Sequence, residues 1–546
     1  MTIESVVFGV PGCGKTEWGT SLARELITDG LDSSRVAYLA FTKAAAKAAA
    51  TRILDSEDES RLKEEFPYFR TIHSLGLMGL RRNKPDLQPM KTGDMKHFAR
   101  TESMEGIFAL YDWEDLAEVY RKMEDQGRTE WDLALTMYNL TRVTARTAED
   151  LKMARFRPSQ FACRLGFIEN EVYQVFVEKY ERFKEREEKI DFTDMLEYAM
   201  TEMPPIDCEY AILDESQDLS ASHYAICDRV LSNARQIFWI GDDDQAIYGW
   251  SGASAELFLE RARRARYRIS LLKTHRFGQS IVDFSQKIIR RVKNRQSKET
   301  VGLEGRLGDV TLTGQFKPVF GDYLILHRHV AGCQAVARDY IEAGIPFICE
   351  RGGNNPLGSR NRIKAWKILD TLAQGGRAPL NRVADMIEEL MPSTVIGDQK
   401  EKIQLLARGA KTYLKQVSLP KDEVGIRDLI DLKILTYQGS DVITQKHYHT
   451  LKHGDDLEYY DRTSRNGYTL EEEKIPRIVT IHGAKGRQAE RVVVFNEMGK
   501  KCLDDPDAEN RLAYVAATRT QSDVTICAEN KVEWAGAEYE YPIDGV

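Results

Sequence analysis

Directly after the apolar run SVVFGV at 5–10 stands the stretch Gly9-Val10-Pro11-Gly12-Cys13-Gly14-Lys15-Thr16. It matches the pattern G-x-x-x-x-G-K-[ST], whose glycines let backbone N–H groups wrap a phosphate chain at the start of a helix. We expect Lys15 to neutralise the β- and γ-phosphates and the Thr16 hydroxyl to bind Mg²⁺. The strand before this loop and the helical pattern after it, at 16–26, predict a nucleotide-binding P-loop.

Short, nearly continuous apolar runs recur along the chain between helical patterns, as is typical of parallel strands buried on both faces. The first set is SVVFGV at 5–10, VAYLAF at 36–41, YAILD at 210–214 and QIFWIG at 236–241. The second set is YRISLL at 267–272, DYLILH at 322–327, RIVTI at 477–481, RVVVF at 491–495 and DVTIC at 523–527. With crossover helices such as 43–53 and 331–343, the two sets predict an α/β fold of two parallel-sheet units.

Two long stretches with mostly helical patterns, 81–188 and 375–474, interrupt this alternation. Each is interpreted as an insertion into one α/β unit. The predicted domains are therefore 1–80 with 189–270 as the first unit, 81–188 as its insertion, 271–374 with 475–546 as the second unit, and 375–474 as its insertion.

The composition is that of a globular chain, since 42% of its 546 residues are apolar and 30% are charged. No run approaches the ~18 consecutive apolar residues of a membrane span, and the N-terminus has no basic region of the kind that opens a secretory signal. Eight cysteines without a C-x-x-C pair favour reduced thiols over a disulfide framework, a zinc site or an iron–sulfur cluster. We expect a cytoplasmic protein that does not associate with a membrane.

The net charge of −8 argues only weakly against a polyanionic partner, because the charge is unevenly distributed. From Arg261 to Lys298 there are 13 Lys or Arg and one acid, Asp283, so this segment carries +12 and the rest of the chain −20. The segment predicts one basic face, with a well-solvated helix surface as the alternative.

Acidic residues follow the apolar run at 210–213, at the strand end where open α/β sheets bind their ligands. Asp214 is suited to hold Mg²⁺, directly or through water, as the second metal ligand beside Thr16. Glu215 is suited to polarise an attacking water as a general base. For Asp218 an ordinary helix-capping role is an equally good interpretation.

These motifs form an ordered set that resembles the UvrD/Rep/PcrA family of superfamily 1 DNA helicases. The P-loop and LDESQD at 213–218 are followed by GDDDQAIYGWSGA at 241–253. The other similar blocks are AFTKAAAKAAA at 40–50, TIHS at 71–74, DFTDML at 191–196, THRF at 274–277, TIHGAKGRQAE at 480–490 and ENRLAYVAATRT at 509–520.

The resemblance implies two RecA-like P-loop motor domains, each interrupted by a helical insertion, with Mg²⁺ and ATP held in the cleft between the motors. The implied activity is ATP-driven 3′→5′ translocation on single-stranded DNA with unwinding of duplex. The implied partners are single-stranded and tailed duplex DNA and accessory replication or repair proteins, with a chain able to act as a monomer. The alternatives are a DNA-stimulated ATPase and translocase that needs a partner to unwind, and a nucleotide switch without turnover, against which Glu215 and the two arginines below argue.

Residue roles follow from the matched blocks. Gln245 is expected to contact the γ-phosphate or the attacking water, and Arg276 and Arg519 to reach the phosphates from the second motor, since guanidinium groups suit the charge that develops in phosphoryl transfer. An ordinary surface salt bridge is the alternative for either arginine. The residues expected to contact DNA are Phe41, Thr42, His73, Tyr248, Trp250, Thr480 and His482. For Phe41 and Tyr248 the alternative is core packing.

Several positions depart from the family pattern. His275 replaces a Tyr that stacks on the base, and Gln488 replaces a Glu expected near the ribose. Eight residues precede Gly9, so we expect the upstream glutamine element that reads adenine in the family to be missing. Ser251 replaces an Arg that contacts DNA. His275 and Gln488 are nevertheless expected at the ATP site, and the departures predict a relaxed nucleotide preference.

Overall fold

The structure is a computed structural model. It describes residues 2–40, 42–54, 58–104, 130–144, 170–306, 308–350, 356–392, 423–431, 434–471, 474–496, 505–528, 533–534 and 537–538. The chain divides into two compact units, the first made of residues 1–315, 326–330 and 480–546, and the second of residues 316–325 and 331–479. These two units are defined by where contacts within the chain are dense, and they do not test the predicted boundaries of the motors and insertions, which stay a prediction.

The first sheet has six strands in the order β3-β2-β6-β7-β1-β8, and each pair of neighbours is parallel. Its strands are β1 (Ile3–Gly9), β2 (Val36–Leu39), β3 (Phe69–Arg70), β6 (Tyr210–Leu213), β7 (Gln236–Gly241) and β8 (Tyr267–Leu271). The central strands are apolar because helices cover both faces, and Val6, Val7 and Phe8 of β1 are fully buried. Since parallel strands end at one edge, the loops after β1, β6 and β7 meet there.

The strands of the second sheet follow the order β15-β16-β9 within the first unit, and β11-β14-β10 for the strands that begin in the second unit. They are β9 (Val310–Thr313), β10 (Tyr323–His327), β11 (Ile348–Cys349), β14 (Arg477–Thr480), β15 (Ala489–Phe495) and β16 (Thr520–Cys527). Strands β9, β15 and β16 lie wholly in the first unit and are parallel, with Val494 opposite Ile526. Two large parallel sheets confirm the predicted α/β fold class.

Eighteen helices lie in the described parts of the chain, and none is long and apolar enough to cross a membrane. In the first unit they are α1 (Lys15–Thr28), α2 (Lys43–Leu54), α3 (Glu59–Glu65), α4 (Ile72–Asn83), α5 (Thr92–Thr101), α6 (Glu130–Thr144), α7 (Asn170–Arg186), α8 (Phe192–Thr201), α9 (Ala221–Val230), α10 (Ala255–Arg264), α11 (Gln279–Ile289) and α18 (Pro506–Ala517). Those in the second unit are α12 (Val330–Ala343), which begins at the boundary, α13 (Arg360–Ala373), α14 (Leu380–Leu390), α15 (Ile426–Asp431), α16 (Tyr437–Thr444) and α17 (Gly454–Arg465). Short two-stranded pairs join β4 (Gln88–Pro89) to β5 (Lys189–Ile190), β12 (Ala378–Pro379) to β13 (Glu423–Val424), and β17 (Glu533–Trp534) to β18 (Ala537–Glu538).

One strand differs from its predicted grouping. The run YRISLL was expected in the second set, but β8 pairs with β1, with Gly9 opposite Leu271, and therefore closes the first sheet. The place of this run in the second set was wrong, although the predicted boundary at residue 270 assigns 267–270 to the first unit, because an apolar run marks a strand without identifying the sheet that it joins. The consequence is functional, since the block THRF leaves β8 directly beside the P-loop.

The two aspartates of the block DFTDML belong to a group of charged side chains packed between helices. Lys184 of α7 donates to Asp194 at 2.8 Å and lies 3.3 Å from Asp191, the capping residue of α8. Arg142 of α6 donates to Asp194 at 2.6 Å. Because a buried cation is stable only when its charge is compensated, these pairs fix α6, α7 and α8 to one another.

Candidate nucleotide-binding site

The P-loop has the backbone that a phosphate cradle requires. Gly12 and Gly14 have φ of 73° and 82°, in the left-handed region that favours glycine, and Gly14 is the N-cap of α1. Lys15 Nζ donates to the Gly9 carbonyl at 3.0 Å, and a Cβ on Gly9 would lie 2.3 Å from Lys15 Cγ. The loop thus holds a lysine and a helix N-terminus at one point, which suits an anion.

The two predicted metal ligands are in contact. Thr16 Oγ1 donates to Asp214 Oδ2 at 2.7 Å, and the hydroxyl of Tyr38 donates to the same oxygen at 3.0 Å. Burial and the neighbouring Glu215 raise the pKa of Asp214, while the hydrogen bonds from Thr16 and Tyr38 oppose that shift. A hydroxyl beside a carboxylate at the end of the P-loop is an oxygen donor set that fits Mg²⁺.

Glu215 follows Asp214 with φ of 54°, a strained value for a residue with a side chain, of the kind that recurs at functional sites. Burial alone would raise the pKa of its carboxyl, but Lys485 and Lys15 outweigh burial and hold that pKa below its ordinary value. Gln217 donates from Nε2 to Glu215 Oε2 at 2.5 Å. The carboxylate is therefore ionised and oriented, as a general base must be.

Gln245 lies just after β7, and both ends of its amide are engaged. Its Nε2 donates to Asp242 Oδ2 at 2.7 Å, and its Oε1 accepts from Arg519 Nη2 at 2.9 Å. Arg519 also donates from Nε to the Val515 carbonyl at 3.0 Å. The glutamine thus joins the end of the first sheet to the arginine that follows α18.

Arg276 is held against the P-loop by its own segment. The amide of His275 donates to Gly12 O at 2.8 Å, and Thr274 Oγ1 donates to Pro11 O at 2.7 Å. Arg276 Nη1 donates to Thr518 O at 2.9 Å, and no hydrogen-bond partner of its buried Nε lies among the described residues.

Neither Arg276 nor Arg519 has a carboxylate within ion-pair distance in the described part of the chain, which excludes the surface salt bridge there. Burial lowers the pKa of Arg276. Burial, then repulsion by Arg276, lowers the pKa of Arg519 to about 9. Glu215 attracts both guanidinium groups but forms an ion pair with neither among the described residues, so the two neighbouring cations are an unfavourable arrangement that a bound polyanion would relieve.

These groups share one cavity of about 450 Å³, within the size range of ligand sites. All of it belongs to the first unit. Its predicted lining residues are Gly12, Cys13, Gly14, Lys15, Thr16, Glu215, Gln245, His275, Arg276, Gln488 and Arg519. Gly9, Val10 and Pro11 form the back of the loop, and Asp214 lies behind Thr16.

Sequence reasoning missed several groups at this cavity, above all Lys485. Its Nζ donates to Asp218 Oδ2 at 2.5 Å and to Gln245 O at 2.9 Å, and lies 4.8 Å from the ring centre of Tyr248. Its place in TIHGAKGRQAE was the available signal. Asp218 therefore pairs with Lys485 rather than serving only as a helix cap, and Arg52, Glu17, Gly486 and Gln521 complete the lining.

Several cations of the segment 261–298 are paired with acids or turn inward, and the predicted basic face stays a prediction for the others. Arg261 pairs with Glu4 and Asp228, and Arg276 turns into the cavity. Arg295 and Lys298 are buried against aspartates 242–244. The local excess of positive charge therefore arises partly from cations whose acidic partners lie elsewhere in the sequence.

Most residues expected to contact DNA have little exposed surface. Tyr248 is 7% exposed, and Thr480 and His482 are also buried. His73 lies in the core, 5.5 Å from His223 between ring centres, and burial lowers its pKa to about 3.

Three further positions complete the expected DNA contacts. Thr42 Oγ1 accepts from the amide of Ala45 at 3.1 Å, at the start of α2. Phe41 lies outside the described residues, and Trp250 is described only by its backbone, in a short turn at 249–251. All the DNA contacts stay predictions.

Two family models match this chain. The UvrD/REP helicase N-terminal domain matches residues 2–266, and the UvrD-like helicase C-terminal domain matches residues 477–527. The first match contains the P-loop, Glu215 and Gln245, and the second contains Lys485 and Arg519.

Individual relatives agree with the family models. A "Probable DNA helicase II homolog" of Mycoplasma capricolum is 21% identical over 94% of this chain and 80% of its own length. "ATP-dependent DNA helicase PcrA" of Leuconostoc citreum is 22% identical over 66% of this chain, and "ATP-dependent DNA helicase Rep" of Salmonella typhimurium is 24% identical over 46%. The chain spans 49% and 36% of the length of these two relatives. With both domain models matched and the motif residues gathered around one cavity, the chain belongs to the UvrD-like helicase family.

Proposed function

We propose that the chain is an ATP-dependent DNA helicase that hydrolyses Mg-ATP in the cavity at the P-loop. The observation that carries this proposal is that Arg519, which is buried, and Arg276, which is half-buried, line the same cavity as Lys15 and Glu215, and neither has a carboxylate within ion-pair distance among the described residues. A site that only held a nucleotide would gain little from an ionised carboxylate and two arginines at the phosphate end.

The residues divide the chemistry among them. Lys15 exchanges its carbonyl contacts for phosphate oxygens, and Thr16 and Asp214 hold Mg²⁺, which neutralises charge on the phosphates when bound. Glu215 accepts a proton from the attacking water. Arg276 and Arg519 stabilise the charge on the transferred phosphoryl group.

Gln245 provides the link from chemistry to motion. It touches Arg519 in the cavity and lies three residues before Tyr248, in the block expected to carry DNA contacts. We propose that loss of the γ-phosphate weakens the arginine contacts in the cleft between the two predicted motors and so moves the DNA-binding loop. Translocation in the 3′→5′ direction and duplex unwinding belong to this proposal through the family.

The test is strand displacement from 3′-tailed, 5′-tailed and RNA-containing duplexes side by side, with ATP hydrolysis measured on the same samples. We expect DNA-stimulated hydrolysis and displacement of the 3′-tailed duplex. Glu215→Gln should lower kcat by roughly 10²- to 10⁴-fold, the usual effect of losing a general base. Stimulated hydrolysis without displacement would favour the translocase that needs a partner, and absence of hydrolysis would contradict the proposal.

We also propose a relaxed nucleotide preference, because His275 and Gln488 line the cavity where the family has a stacking Tyr and a Glu. The kcat/KM values for ATP and GTP should lie within about tenfold, about 1.4 kcal/mol in transition-state binding. Steady-state kinetics with both nucleotides measure this ratio, and a strong preference for ATP would contradict the expectation.

A further inference from the structure

Three consecutive aspartates, Asp242, Asp243 and Asp244, follow β7 and are 0% exposed. Lys298 Nζ lies among them, 3.0 Å from Asp242 Oδ1, 2.5 Å from Asp243 Oδ1 and 2.9 Å from Asp244 Oδ2. Lys298 is itself buried. Burial alone would lower the pKa of its ammonium group, but attraction by the three carboxylates outweighs burial and raises that pKa. The ammonium occupies the place between the carboxylates that a metal ion would otherwise need.

The three carboxylates differ in their second contacts. Asp244 receives two hydrogen bonds from Arg295, at 2.7 and 2.6 Å. Asp243 Oδ2 accepts from the backbone amide of Gln296 at 2.7 Å. Asp242 alone bonds a residue of the nucleotide cavity, because its Oδ2 accepts from Gln245 Nε2 at 2.7 Å.

A continuous series of contacts therefore leads from Lys298 to the cavity. Lys298 holds one oxygen of Asp242, the other oxygen of Asp242 holds the NH₂ group of Gln245, and Gln245 presents its carbonyl oxygen to Arg519. An amide can be reversed by rotation about its last bond, and an ionised acceptor on one side prevents that reversal. The orientation of Gln245 thus depends on the charge and position of Asp242.

We propose that Lys298 is a positioning residue for nucleotide hydrolysis, which acts through Asp242 to keep the Gln245 amide directed at Arg519. This inference rests on the proposed hydrolysis at the P-loop cavity. Within the described parts of the chain Lys298 contacts none of the residues that line that cavity, so its effect passes through Asp242 and Gln245.

A structural role alone makes a different prediction. If Lys298 only neutralised buried carboxylates, its removal would lower stability and leave turnover per folded molecule unchanged. If it positions Gln245, its removal lowers kcat more than it changes KM, and the loss disappears when Gln245 is already absent.

The experiment is a double-mutant cycle in DNA-stimulated ATP hydrolysis with Lys298→Met, Gln245→Ala and the double variant, each checked for folding by thermal unfolding. We expect Lys298→Met to lower kcat by roughly 10- to 100-fold, as for other residues that orient a catalytic group through a hydrogen bond. In the Gln245→Ala background, Lys298→Met should lower kcat by less than about twofold. An undiminished kcat in folded Lys298→Met, or full additivity with Gln245→Ala, would overturn the inference.

A second pair of variants keeps the inference testable if Lys298→Met does not fold. Asp242→Asn and Asp244→Asn remove the same charge from equally buried positions that both contact Lys298. Only Asp242 bonds Gln245, so Asp242→Asn should lower kcat by roughly tenfold or more, and Asp244→Asn by less than about threefold. Equal losses in the two variants would overturn the inference.

The wild-type chain separates the two proposals. If the wild type does not hydrolyse ATP, the proposed function fails and the cycle is not reached. If the wild type hydrolyses ATP and the Lys298 and Asp242 variants match it, hydrolysis stands and the positioning role of Lys298 is wrong.

Discussion

Arg519 has surroundings that are unfavourable for a charged side chain in the free protein. Its guanidinium is buried beside a second arginine, which lowers its pKa to about 9, and it is bonded only to neutral oxygens. Charged groups placed in this way destabilise the free protein and are useful only when an anion arrives. The residue is thus better explained by a phosphate ligand than by packing.

Arg519→Gln separates these two effects. We expect kcat for ATP to fall by roughly 10³-fold or more, as for other arginines that contact a transferred phosphoryl group. The free energy of unfolding without nucleotide should stay the same or rise, because removal of a charge that burial and Arg276 disfavour offsets the loss of its hydrogen bonds to neutral oxygens. Denaturant unfolding and steady-state kinetics on the same preparation measure both quantities. A large loss of stability would mean that Arg519 is mainly structural.

The raised pKa of Asp218 predicts that the stability of the chain depends on pH. Burial raises the pKa of Asp218 to about 7. Attraction by Lys485 opposes this rise, and repulsion by Glu215 adds to it. Between its ordinary pKa of 3.8 and about 7 the folded chain therefore binds more protons at this site than the unfolded chain does. Its contribution to stability is fully present below the lower value and falls as pH rises through this window, by at most about 1.4 kcal/mol per pH unit.

Asp218→Asn should remove this pH dependence. Between pH 5 and pH 7 the unfolding free energy of the wild type should therefore fall relative to that of the variant. Urea unfolding at both pH values measures it. A difference that is constant with pH would show that Asp218 is ionised throughout, with Lys485 as the dominant influence.

Among elements, the junction between β1 and α1 depends on glycine for two separate reasons. Gly12 has a positive φ, and a Cβ there would lie 2.6 Å from Arg276 Cβ and 2.8 Å from Thr274 Oγ1. Gly30, just after α1, has a φ of 100° but nothing within 4 Å of such a Cβ. Both positions therefore have a positive φ that would strain any residue with a side chain, and only at Gly12 would the added Cβ also meet other atoms.

Gly12→Ala should displace the Thr274–Arg276 segment and weaken nucleotide binding by roughly tenfold or more, whereas Gly30→Ala should cost only about 1–2 kcal/mol of stability from backbone strain. Nucleotide titration and thermal unfolding of both variants test the comparison. Equal nucleotide affinity in the two variants would contradict the close contact at Gly12.

Elements also show what the sequence could reveal and what it could not. The P-loop, Asp214 and Glu215 were predicted because each follows an apolar strand within a few residues, and strand ends are a local signal. Lys298 was not, because the aspartates it joins lie more than 50 residues away and nothing near it in sequence indicates the pairing. His73 was assigned to DNA from its block, whereas its surroundings are those of a core histidine.

At the scale of the whole molecule, ligand binding should be visible as stability. A compound that binds only the folded chain raises its unfolding free energy by RT ln(1 + [L]/Kd), about 2.7 kcal/mol at a hundredfold excess over Kd. A non-hydrolysable ATP analogue with Mg²⁺ should therefore raise Tm, and removal of Mg²⁺ by EDTA should reduce the rise.

Thr16→Ala, which removes one proposed metal ligand, should keep part of the increase in Tm with the analogue and lose its dependence on Mg²⁺. Differential scanning calorimetry with and without EDTA provides the measurement. An increase in Tm that is the same with and without Mg²⁺ in the wild type would contradict the proposed pair of Thr16 and Asp214.

The short path from β8 to Arg276 gives the two arginines unequal freedom. Leu271 lies in register beside Gly9 in the first sheet. Arg276 is only five residues further along the chain, a segment that spans at most about 18 Å when fully extended. Arg519 is attached to this strand only through a far longer course of backbone. If nucleotide hydrolysis takes place in this cavity as proposed, we expect Arg276 to stay beside the P-loop throughout the cycle, and Arg519 to be the arginine whose distance from the P-loop changes.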